Sequence, residues 1–228
     1  MTFVNNAGAV ARAAMSSIDP SLVETYASLI SFLSSFPKAA SAMRGGKSKP
    51  AIGSRAYVER QATAFAASRN PRAPKAPTTV PDEMVSVILH EYFEIRDTEL
   101  DRAKSEHLLS MGAENLVGDL LERYLASVLE PRGWLWCSSA MVKAVDFVKA
   151  PAKKGEAWRM LQVKNRDNSE NSSSSAIRLG TNIEKWYRTF SKKEGANWAA
   201  FPDPALRQHL SEAAFKSYVT QYLRALKA

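Results

Sequence analysis

The chain reads as an α/β (α+β) fold, a central sheet flanked by helices behind a helical N-terminal region. Three observations carry that reading. Leu116, Val117, Leu120, Leu121, Tyr124, Leu125 and Val128 recur at the spacing of one helix face, and Pro131-Arg132-Gly133 ends the run. Three candidate strands follow in succession, Trp134 to Ser138, Met141 to Val148 and Ala157 to Asn165. Helix signals then return at Thr181-Asn182-Ile183-Glu184, a capping box ahead of Trp186, Tyr187 and Phe190.

Taken in order, Asp19-Pro20 is a helix start, with Val23, Tyr26, Ala27, Ile30 and Leu33 at helical spacing before Pro37. From Ala39 to Pro81 the composition turns basic and rich in Gly and Pro, with room for a short helix from Tyr57 to Ala67. Two readings stand for this stretch: a solvated linker, or an arm in which Arg44 to Lys75 grips a nucleic-acid backbone. Pro81-Asp82 opens a densely apolar helix, and Asp203-Pro204 starts a last one carrying Leu206, Leu210, Tyr218, Tyr222 and Leu226. The chain therefore divides into residues 1–81, helical and basic, and residues 82–228, which hold the patterned core.

Length and composition narrow the partners. At 228 residues and 45% hydrophobic the chain can build a full core. A net charge of +8 and a pI near 9.6 call for an acidic partner, nucleic acid before a membrane surface. No apolar run approaches the roughly 20 residues that cross a bilayer, so no membrane role is expected. The N-terminus lacks a secretory pattern, and the single cysteine, Cys137, excludes an internal disulfide and a cysteine-based zinc cluster. The expected location is the cytoplasm.

The chemistry centres on two strands. Asp146 sits in the apolar run Ala144-Val145-Asp146-Phe147-Val148, and an unpaired carboxylate buried there costs several kcal/mol. Gln162 and Lys164 share one strand face, Leu161 and Val163 the other. A carboxylate, an amide oxygen and an ammonium on adjacent strands can hold a divalent metal and polarise a phosphate or water. The bland alternative is an edge strand whose Asp146 pairs with Lys143 or Lys149 at the surface. Glu122 taken alone is a solvated helix residue, Cys137 a packing residue, and His90, His107 and His209 lack metal-ligand spacing. The polar run from Asn165 through Ser172, Ser173, Ser174 and Ser175 to Arg178 is either a linker or a DNA-reading loop, since Asn and Arg match adenine and guanine edges.

Together, Gly118-Asp119-Leu120-Leu121-Glu122, the Gly133-Trp134 turn, Asp146 and Gln162-Val163-Lys164 resemble the core of the PD-(D/E)XK nuclease superfamily over roughly Glu114 to Phe190. Leu161 to Asn171, the serine run and Ile183-Glu184-Lys185-Trp186 resemble the SinI family of type II restriction endonucleases. The resemblance implies a restriction-endonuclease-like core of helix, mixed strands and helix. It implies Mg²⁺, one or two ions per active site, held by Asp146, Gln162 and Glu122, with Lys164 orienting water or stabilising charge on the phosphate. Gln162 departs from the family pattern, which has Asp or Glu there. The implied substrate is double-stranded DNA, cut at a short palindrome of the GG(A/T)CC kind to leave 5′-phosphates. Asn165, Arg166, Asn168, Ser172 to Ser175, Arg178 and Lys185 are the expected DNA contacts. A palindrome mirrors a two-fold protein, so a homodimer is expected, with a cognate DNA methyltransferase as genetic partner in a bacterial cytoplasm. Gln162 also keeps a rival open, a DNA-binding module on the nuclease scaffold that does not cut; a structure-specific repair nuclease is a further alternative.

Overall fold

In the computed structural model, which describes residues 2–43, 48–153, 155–168 and 177–227, the N-terminal layer is made by α1 (Ala7–Ser16), α2 (Val23–Ser35) and α3 (Arg55–Ser68). The Asp19-Pro20 start acts as expected: the Asp19 carboxylate accepts the Ser21 N–H at the head of a short 3₁₀ turn that runs into α2. α3 is the helix anticipated within the basic stretch, but it is a core element. Tyr57, Val58, Ala62 and Phe65 are fully buried among α1, α2 and the sheet, and the Tyr26 hydroxyl donates to the Val58 carbonyl. Gly53 (φ +84°) lets the chain turn back beneath residues 2–4, where a Cβ would lie 2.5 Å from the Thr2 carbonyl oxygen.

Asp82 caps α4 (Glu83–Glu91) by accepting the Met84 N–H. α5 (Asp97–Leu129) runs 33 residues, so the periodic stretch Leu116–Val128 is only its buried second half. The helix ends where Pro131 and Gly133 (φ +82°) indicate.

A four-stranded sheet follows, in spatial order β1 (Trp134–Trp136), β2 (Phe147–Lys149), β3 (Arg159–Arg166), β4 (Ile183–Thr189). β2 runs antiparallel to both its neighbours, β1 and β3, and β4 lies parallel to β3, so the sheet is mixed. Strand alternation sorts the side chains into two cores. Trp134, Trp136, Phe147, Leu161, Val163 and Trp186 face α5 and the C-terminal helix α6 (Glu212–Ala225). Leu135, Val148, Met160 and Ile183 face the N-terminal helices. The result is a helical layer on each side of the sheet.

Three expectations are corrected. Thr181–Phe190 is not a helix: Ile183–Thr189 is β4, and the Thr181 hydroxyl accepts the Ile183 N–H and donates to the Arg178 carbonyl, closing a turn. Branched and aromatic residues (Ile183, Trp186, Tyr187, Thr189) suit a half-buried strand, and the open edge of β3 supplies the ladder that a seven-residue helix would lack. The second strand does not start at Met141. Ser139, Ala140 and Ala144 take positive φ, which keeps the chain irregular up to Phe147. Asp203-Pro204 opens only a 3₁₀ turn, Pro204–His209; the last helix is capped separately by Ser211, which accepts the Ala214 N–H.

Candidate active site

The site is assembled where the buried half of α5 meets the end of β1 and the second half of β3. Glu122 projects from α5, and its carboxylate accepts the Trp136 indole N–H at 3.0 Å. That indole is itself clamped. The Arg69 guanidinium lies 5.0 Å from one of its ring centroids and Arg123 5.5 Å. Arg69 pairs with Glu130, and Arg123 pairs with Asp119 while donating to the carbonyls of Ser68, Arg69 and Asn70. Two cations of the chain therefore lock the tryptophan that holds Glu122.

Asp146 lies immediately before β2. Its N–H donates to the Leu161 carbonyl, its carbonyl accepts the Cys137 N–H, and its carboxylate accepts the Val163 N–H at 2.6 Å. Neither Lys143 nor Lys149 pairs with it. Lys143 donates to the Lys38 carbonyl, Lys149 lies 3.7 Å from Asp203, and β2 is an interior strand, so the surface-pair alternative does not describe this residue. The β2–β3 pairing begins at Phe147↔Leu161, so Asp146 lies just outside it; Gln162, the next residue of β3, pairs on its other side with Lys185 of β4.

Gln162 is 1% exposed, and both amide atoms lack a hydrogen-bond partner among the described residues. An amide buried without partners costs about 1–3 kcal/mol. Burial and the nearby Asp146 push the Glu122 carboxyl up to about 8, against a smaller opposing effect of the Trp136 hydrogen bond. Burial likewise lifts Asp146 to about 6, opposed by the Val163 N–H and by Lys164. Two carboxyls that resist ionising together form a pair that an oxygen-seeking divalent cation would relieve. Among the described residues no group of three His, Cys, Asp or Glu side chains could hold a metal.

Lys164 and Glu122 both line a cleft of about 480 Å³ between α5 and the end of β3. Glu114, Gly118, Asn165 and Arg166 line it too, which brings two of the expected DNA contacts to the same opening. Asn165 has a fold role as well: its side-chain oxygen accepts from Arg188, and its carbonyl from the Thr189 hydroxyl. Asn168 is exposed beyond β3, Arg178 lies in the turn before β4, and Lys185 is half-buried on β4. Ser172 to Ser175 lie outside the described residues, as do Arg44 and Lys47 of the basic stretch. Arg69 is committed to Glu130, and Arg72 lies 3.4 Å from Asp119.

Sequence reading missed Trp136 and Arg123, for which it has no local signal, because their roles depend on the α3–α5 contact. Glu114 was findable. With Gly118 and Glu122 it repeats every four residues, a polar stripe beside the apolar one.

Acid and lysine at one cleft of a basic α/β protein, with a second buried acid close enough to raise the first, are the equipment of a phosphodiester-cleaving enzyme, and the class in view is a nuclease. The chain belongs to the SinI restriction endonuclease family, whose model matches residues 7–225. It is 51% identical to the type II restriction enzyme Eco47I of Escherichia coli over 222 residues, 97% of this chain and 96% of that protein. It is 50% identical to the type II restriction enzyme SinI of Salmonella infantis over 225 residues, 99% of this chain and 97% of that one.

Proposed function

We propose that this type II restriction enzyme cuts double-stranded DNA at a short palindrome of the GG(A/T)CC kind, on a restriction-endonuclease-like core whose catalytic unit is residues 82–228. Asp146, Gln162 and Glu122 would hold Mg²⁺, one or two ions per site. The single observation that best supports this set is the buried, partnerless Gln162 amide, next in sequence to the Val163 N–H that holds the Asp146 carboxylate. When bound, the cation polarises the scissile phosphate and raises the acidity of water.

The chain's own groups do the rest. The Val163 N–H fixes one carboxylate oxygen of Asp146, leaving the other for a ligand. Trp136 holds Glu122 in one orientation, so little reorganisation is needed when charge develops. Lys164 lies near enough to favour the ionised form of both acids, and we assign its ammonium to the water or to the phosphate charge that grows during attack. The products would carry 5′-phosphate and 3′-hydroxyl ends. Asn165, Arg166, Asn168, Ser172 to Ser175, Arg178 and Lys185 are assigned to DNA. A two-fold target calls for a homodimer, and a matching methyltransferase would protect the host's own sites.

Digestion of a fully sequenced phage DNA with Mg²⁺ tests the reading, with wild type beside Asp146→Ala and Lys164→Ala. Discrete ends at one palindrome are expected, reduced on the order of 10³-fold or more in both variants while DNA binding persists. Full cutting by either variant would remove that residue from the site.

A further inference from the structure

The most exposed apolar surface lies away from the cleft, on α4 and the residues after it. Met84, Val87 and Ile88 form one outward stripe of α4, and Tyr92 and Phe93 continue it; these five are between 47% and 78% exposed. No residue of α4 is buried, although the helix is capped and strongly apolar. Behind the stripe a groove of about 440 Å³ runs between α4 and α5, lined by Val85, Leu89, Leu108 and Met111. The segments outside the described residues, 44–47 and 169–176, read RGGK and SENSSSSA, and neither supplies apolar side chains to cover it.

Charge decides what the occupant is. Residues 82–106 carry eight Asp and Glu against three Lys and Arg, in a chain whose net charge is +8. An acidic stretch beside an apolar stripe disfavours nucleic acid and anionic membrane, which leaves a protein surface, and Glu99, Asp101 and Glu106 are already paired within the chain with Arg96, Lys104 and Arg102. Area decides how large. With aromatic side chains covering about 150–250 Å² apiece, the five exposed residues present on the order of 600 Å². A standard interface takes about 800 Å² from each partner, somewhat more than half of it apolar. One patch of this size satisfies one partner.

We infer that the α4 face is the dimer interface: the stripe Met84, Val87, Ile88, Tyr92 and Phe93 packs against the same stripe of a second copy of this chain. The inference rests on the two-fold reading of the target given above. An isologous contact needs only this one self-complementary patch, and it leaves each cleft between α5 and β3 uncovered.

Sedimentation equilibrium at micromolar concentration, run on wild type, Ile88→Lys and Tyr92→Ser with circular dichroism alongside, tests it. Both residues sit at the surface, so helix content should not change. Wild type is expected to be dimeric, and each variant to dissociate about a hundredfold more readily. Plasmid treated with a variant should accumulate in the nicked form before it is linearised. Variants that stay as dimeric as wild type overturn the interface, as does a monomeric wild type. If that monomer still cuts at discrete sites, the nuclease reading survives and only the interface falls. A wild-type dimer lost in the variants but unable to cut DNA would do the reverse.

Discussion

The two halves of α5 are one continuous helix, about 50 Å long at 1.5 Å per residue, yet they live in different worlds. Between Asp97 and Asn115 only Gly112 is buried, where the backbone of Lys75 and Ala76 crosses so closely that a Cβ would meet the Lys75 carbonyl at 2.8 Å. From Leu116 onward the helix is sunk into the core through Leu116, Leu120, Leu121, Tyr124 and Leu125, and it delivers Glu122 to the cleft. Helix formation is indifferent to this contrast; function depends on it. The buried half can hold a carboxylate at an unfavourable ionisation because packing fixes it there. The exposed half keeps apolar neighbours in solvent, which makes sense only if something covers them.

The same substitution in each half gives the largest contrast. Leu125→Ala should cost about 2–5 kcal/mol in denaturant unfolding, since it empties a fully packed position. Leu109→Ala, at a residue 65% exposed, should stay within about 0.5 kcal/mol. Similar losses at both positions would mean that the first half is also packed within the protomer.

Acidity is the next largest effect. Glu122 in the folded protein titrates near 8 against an ordinary value of 4.5, so the native state holds that proton more tightly than the unfolded chain. Its contribution to stability is complete below about pH 4.5 and is lost as pH rises through 8. In metal-free buffer the Tm of wild type should therefore fall relative to Glu122→Gln by several degrees between pH 5 and pH 8.5. Parallel melting curves would mean that Glu122 ionises normally. Smaller again is Trp136→Phe, which keeps a ring between Arg69 and Arg123 but removes the N–H that restrains Glu122. Cleavage should slow about ten- to a hundredfold, and its pH profile should move upward, because that hydrogen bond favours the ionised acid. A slower rate with an unmoved profile would reduce Trp136 to packing.

The contrast also marks what the sequence could tell. The stripe Leu116 to Val128 announced the buried half of α5, because period and burial coincide there. The first half has polar or charged residues at most positions and no clean period, so its helix was missed. Asp146 and Gln162 stood out as polar residues in apolar strands, which is visible in one dimension. That the Val163 N–H, next to Gln162, reaches the Asp146 carboxylate depends on how β3 lies against the chain before β2, which no local signal states. The capping box at Thr181 misled, since its threonine closes a turn equally well and β3 had an open edge to fill. Arg69 looked like part of a phosphate-gripping arm. Its stacking on Trp136 and its pair with Glu130 depend on residues more than sixty positions away.

The metal set is tested most directly by melting wild type and Gln162→Leu in EDTA and again with millimolar Mg²⁺ or Mn²⁺. If the partnerless amide is a ligand, Gln162→Leu should melt higher than wild type in EDTA, freed of a buried unsatisfied group, and should lose most of the few-degree rise that the cation gives wild type. Equal cation-induced rises in the two proteins would contradict the assignment and leave Asp146 and Glu122 to hold the metal without Gln162.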